Sequence, residues 1–76
     1  MPHRSDSARL ETDVDKIVSI LRRYGVLPLQ RVATIARADG VHEGSPFRRA
    51  LSRAVALKRV RCIGVDLYEA AEDPAA

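Results

Sequence analysis

Between Ser45 and Arg61 the chain reads SPFRRALSRAVALKRVR, with six basic residues and no acidic one. On a helical wheel of about 100° per residue, Phe47, Ala50, Leu51, Ala54, Val55 and Leu57 share an arc of roughly 160°. Arg48, Arg49, Ser52, Arg53, Ala56 and Arg59 fill the opposite arc. Lys58 alone falls among the apolar positions, where its stem can lie on a core while the ammonium escapes to water. A helix divided in this way must bury one side and keep the other in solvent. The fold therefore has to supply an apolar surface for residues 46–59 without covering the cations. Ser45 followed by Pro46 suits the start of such a helix, as N-cap and N1.

The rest of the chain supplies that surface. Val14, Ile17, Val18 and Leu21 recur at helical spacing, widened by Ile20 and Tyr24, and predict a first helix over 13–24. Thr12 followed by Asp15 resembles a capping box, and Asp13 and Asp15 suit the positive end of a helix dipole. Arg22 and Arg23 fit the last turn and Gly25 the C′ position. Val26 and Leu27 can form a brief edge strand, which Pro28 cannot continue as a donor. Pro28 suits the first turn of a second helix over 29–38, whose inner face is Leu29, Val32, Ala33 and Ala36 with Ile35 at the margin, closed by Gly40. After the third helix, VRCIGVDLYEA reads as a β-hairpin. A three-residue loop, Gly64-Val65-Asp66, would pair Val60 with Ala70 and Cys62 with Tyr68 on an inward apolar face. It would also pair Arg61 with Glu69 on the outer face. Residues 1–11 and 71–76 read as flexible tails around one domain over 12–70.

Seventy-six residues make one small domain. Its few aromatics, Phe47, Tyr24 and Tyr68, leave the core to aliphatic side chains. Cys62 is the sole cysteine, which excludes an internal disulfide and points to a reducing, cytoplasmic location. No apolar run suits a membrane span or a signal peptide. His3, His42 and Cys62 lack the close spacing of zinc ligands, so no metal or cofactor is expected. No phosphate loop or nucleophile–base arrangement occurs, so the chain is not expected to be an enzyme. Net charge is +3. Because residues 45–61 carry six positive charges, the remainder sums to three negative ones. The abundance of Arg is what a GC-rich genome yields, but its segregation on one side of one segment is not.

The segments IVSILRRYGVLPLQRVATIARADG and FRRALSRAVALKRVRCIGVDLYEA, within Val14–Ala70, carry a resemblance. An apolar helix ends at Gly, a Leu-x-x-Val-Ala helix ends at Gly, and an amphipathic helix leads directly into a hairpin with Tyr near its end. This order resembles the winged helix-turn-helix domain. The resemblance implies an α+β, mostly helical fold with three helices and a C-terminal hairpin wing. It implies that helix 3 enters the major groove of double-stranded DNA, as in a transcriptional regulator or architectural factor. Two features depart from the pattern: the turn ADGVHEGSP is long, and the wing tip IGVD carries no basic residue.

The residues agree with that implication. Phosphates demand a positive surface, and the major groove admits one helix. Arg49 and Arg53, one turn apart at the middle of the exposed arc, suit base edges. Arg48, Arg59 and Arg61 suit phosphates, Ser45 and Ser52 complete the face, and Arg31 and Arg37 of helix 2 add backbone contacts. Arg48 and Arg49 in a first turn oppose the helix dipole, and Arg49 and Arg53 repel at i, i+4, costs that a polyanion reverses. The rival reading of the same face is a protein-interaction winged helix that docks an acidic partner. RNA comes third, since no aromatic stacking platform is visible. One domain of this size covers a short stretch of duplex, which leaves room for a homodimer.

Overall fold

The structure, a computed structural model, describes the backbone of residues 2–71 and side chains from residue 8 to residue 71. It is α+β, with three helices and a three-stranded antiparallel sheet in the order α1 (Pro2–Tyr24), β1 (Leu27–Pro28), α2 (Leu29–Ala38), α3 (Ser45–Ala56), β2 (Val60–Gly64) and β3 (Leu67–Ala70). Residues 72–76, part of the expected C-terminal tail, lie outside the described residues, as does Met1.

Helix α1 begins earlier than the periodicity from Val14 suggested, so the backbone of residues 2–11, read as a tail, is helical. The reason is visible at Leu10, which packs against the core one turn before Val14 and extends the same stripe. Thr12 is therefore no cap. Its Oγ1 donates to the Ala8 carbonyl at 2.9 Å, a back-bond inside the helix. Asp13 and Asp15 likewise sit in the middle of a helix, where the terminal dipole does not reach them.

The core lies where α1 meets α2 and α3. Val14, Ile17, Val18, Ile20 and Leu21 meet Val32 and Ala36 of α2 and Phe47, Ala50, Leu51 and Ala54 of α3, with Val41 and Val60 closing the cluster. Ile35 packs half-buried at its margin, as the α2 pattern predicted, and Leu29 and Ala33, expected on the inner face, are half-buried beside it. Pro28 occupies the N-cap position of α2 rather than its first turn. Helix α2 ends in a Schellman motif: Gly40, at φ +96°, donates to the Arg37 carbonyl and Val41 donates to that of Ala36.

Helix α3 differs from the expected 46–59 at both ends. Gly44, with φ +85° and ψ −134°, holds the N-cap position, so Ser45 is the first helical residue and makes no side-chain cap. That backbone geometry is open to glycine and draws the chain into the helix one residue sooner. At the other end a second Schellman motif stops the helix at Ala56. Lys58 donates to the Val55 carbonyl and Arg59 to that of Ala54, with Lys58 itself left-handed at φ +61°. Leu57, expected in the core, is therefore outside the helix and 43% exposed; Val55, also expected in the core, is 38% exposed within the last turn.

The sheet runs β1-β3-β2. The pairs Val60–Ala70, Arg61–Glu69 and Cys62–Tyr68 match the expected register, but Gly64 then pairs with Leu67. The loop is thus two residues, Val65-Asp66, and an irregularity at Ile63 takes up the extra residue. This bulge preserves the faces that a plain two-residue loop would have exchanged. Val60 is buried, and Ala70, Tyr68 and Leu27 pack against the core, yet Cys62 is exposed. It pairs with Tyr68 from the edge strand β2, and its thiol donates to the Gly64 carbonyl at 3.2 Å. Strand β1, at the other edge, is Leu27–Pro28 rather than Val26–Leu27, and the Leu29 amide binds the Asp66 carbonyl at 2.7 Å.

Candidate nucleic-acid interface

Burial of Phe47, Ala50, Leu51 and Ala54 fixes how α3 is rolled on the core, and everything opposite them faces solvent. Ser45, Arg48, Arg49, Ser52 and Arg53 are all exposed. Arg48, Arg49, Ser52 and Arg53 converge with Ala56 and with Leu10 of α1 on one shallow, open groove. Leu10 was missed in the sequence, although its spacing to Val14, Ile17 and Leu21 continues the core stripe. Because α3 starts at Ser45, Arg48 closes the first turn and Arg49 lies beyond it, so the expected dipole penalty shrinks. The i, i+4 repulsion between Arg49 and Arg53 remains.

The remaining site residues divide according to their partners. Arg53 has its Nη2 3.7 Å from Glu11 Oε2 of α1. Arg59 follows the turn that ends α3 and points back across the domain, where its Nη1 donates to Asp15 Oδ1 at 2.7 Å. Arg61 pairs with Glu69 at 2.7 Å, the cross-strand pair the register predicted. It lines a separate concavity with Val55, Lys58 and the end of β3, so it does not join the α3 groove. Arg37 donates from Nη1 to Glu43 Oε1 at 2.8 Å and clips the α2–α3 loop to its own helix. That hydrogen bond and the Glu43 charge hold its guanidinium above its already high ordinary pKa. Arg53, expected at base edges, and Arg37, Arg59 and Arg61, expected at the DNA backbone, therefore each have a carboxylate at hand.

Arg31, Arg48 and Arg49 have no carboxylate within 4 Å among the described residues. Arg49 does border a cleft between α1 and α3 that also contains Arg9, Leu10, Pro46 and Asp13. Asp13 is only 4% exposed, and Arg9 and Arg49 line the same cleft.

His42 is exposed in the loop before α3, and the side chain of His3 lies outside the described residues. Among the described residues no helix is long and apolar enough to cross a membrane. Compared with protein-family models, with curated proteins and with solved structures, the chain matches none.

Proposed function

We propose that the protein binds double-stranded DNA through α3, in the manner of a winged helix transcriptional regulator or architectural factor. One observation carries this reading. Arg48 and Arg49 stand exposed and without an ion-pair partner among the described residues, on the outer side of a helix whose inner side is core. An exposed arginine with no carboxylate partner keeps its donors open to an anion, and phosphate is a suitable one. The element order supports the reading: α3 runs directly into an antiparallel hairpin, and a short strand before α2 joins the same sheet. The wing contributes little charge, since its turn is Val65-Asp66 and Arg61 is paired with Glu69.

The test is fluorescence anisotropy of a labelled duplex titrated with the protein over a range of salt. Of the expected contact arginines, Arg31, Arg48 and Arg49 have no ion-pair partner among the described residues, and three phosphate contacts predict that log K falls against log salt with a slope of about −3. An absence of duplex binding at low salt overturns the proposal.

A further inference from the structure

Among the described residues, Glu11 and Asp15 make no side-chain hydrogen bond or ion pair within α1. Glu11 and Asp15 lie in the interior of Pro2–Tyr24, too far from the N-terminus for the dipole to favour them. They are also one turn apart, a like-charge spacing that costs a helix a few tenths of a kcal/mol. What they do have is a distant arginine each: Glu11 faces Arg53 of α3, and Asp15 holds Arg59 just past the end of that helix. These pairs differ from the other two. Arg37–Glu43 ties the α2–α3 loop to the end of α2, and Arg61–Glu69 bridges partners in a ladder, so both reinforce local structure. Arg59–Asp15 spans 44 positions of sequence, and both α1 pairs stand at the border of the α3 groove or its C-terminal end. All four side chains are between 37% and 65% exposed, so each pair is weak and readily exchanged.

We infer that Glu11 and Asp15 act as an internal counter-charge that regulates the α3 face, occupying Arg53 and Arg59 in the free protein and competing with phosphate for them. The inference rests on the DNA-binding reading above. In the free state a carboxylate stands beside each cation and offsets part of its charge. On a duplex, each one must leave a carboxylate to gain a phosphate, which lowers affinity and speeds release. The carboxylates thus confine tight contact to the Arg48–Arg49 end of the helix.

The test compares the parent chain with Glu11→Gln, Asp15→Asn and the double variant, with thermal midpoints recorded alongside. Loss of the two competitors should raise duplex affinity between about 2- and 30-fold. It should also steepen the salt slope from about −3 to between about −4 and −5. Adding Arg53→Gln and Arg59→Gln to the double variant should cancel both gains. Asp39→Asn with Asp66→Asn makes the same change in net charge at carboxylates that pair with no arginine or lysine side chain among the described residues. An equal gain in that control overturns the inference, because net charge alone then explains it. A parent that binds duplex with the affinity and slope of the double variant also overturns it, while leaving the DNA-binding reading intact. Binding by the double variant but not by the parent supports the inference in its strongest form. Failure of both to bind overturns the inference and the DNA-binding reading together. Should Asp15→Asn lower the melting point, Glu11→Gln alone carries the comparison through Arg53.

Discussion

Paired and unpaired arginines should respond differently to the same substitution. Arg48→Gln and Arg49→Gln remove a charge with no carboxylate within 4 Å among the described residues, whereas Arg61→Gln removes one already 2.7 Å from Glu69. Glutamine retains most of the stem, so lost packing is small. Each phosphate contact contributes about 0.9 to the salt exponent, which at about 0.1 M salt is about 0.9 log unit of affinity, or eightfold. The double variant at Arg48 and Arg49 should therefore weaken duplex binding about 60-fold and flatten the slope from about −3 to about −1. Arg61→Gln should leave both unchanged and cost the hairpin at most about 1 kcal/mol. Anisotropy titrations at several salt concentrations read the affinity and slope, and thermal melts read the stability. The melts matter for Arg49, because its removal leaves Arg9 as the other cation lining the cleft of the buried Asp13. If Arg61→Gln weakens binding as much as Arg49→Gln in variants of equal stability, ion pairing does not decide which cations are available, and the reasoning fails.

Two further substitutions test the helix ends. If Thr12 capped a helix, Thr12→Ala would cost about 1 kcal/mol; inside α1 it should be neutral or stabilising by a few tenths of a kcal/mol, since alanine is the better helix former. Thermal denaturation followed by circular dichroism distinguishes the two. Lys58→Gly should stabilise the domain by about 1 kcal/mol, or about 4–8 °C in Tm, because glycine adopts the left-handed position without a Cβ clash; a lower melting point would show that the turn after Ala56 is not left-handed.

The parts of the fold legible in the sequence were those where side-chain chemistry and backbone period agree. Val32 and Ala36 lie where the α2 pattern placed them, and Gly40 ends that helix in the conformation glycine favours. The pairings of Val60 with Ala70 and Arg61 with Glu69 followed from matching apolar with apolar and opposite charges with each other. The errors came where several backbone solutions satisfy one pattern. A bulge at Ile63 keeps the register that a longer loop would also have kept, so composition alone does not separate them. The end of α3 was hidden because its left-handed residue is Lys58, which carries no turn signal, and because Leu57 continues the apolar arc it does not use. The start of α1 was hidden behind Thr12 and Asp15, a plausible cap three residues apart. At the candidate site, exposure of Arg48, Arg49, Ser52 and Arg53 followed from the wheel. The ion pairs to Glu11 and Asp15 did not, since they depend on how α1 and α3 cross, which no local pattern encodes.

The early stop of α3 at Ala56 limits how much any duplex could tell this protein. Arg48 to Arg53 is five steps of about 1.5 Å, so the reading face advances about 7.5 Å along its axis. With base pairs stacked about 3.4 Å apart, that is the length of about two steps of duplex. Two steps join three base pairs, which fully specified distinguish one sequence in about 64, against the roughly 10⁶–10⁹ alternative sites a genome presents. On the proposed reading, a single copy is a detector of backbone charge with a short word of sequence attached. Addressing one locus then requires several such words held at a fixed spacing, and coating DNA requires none.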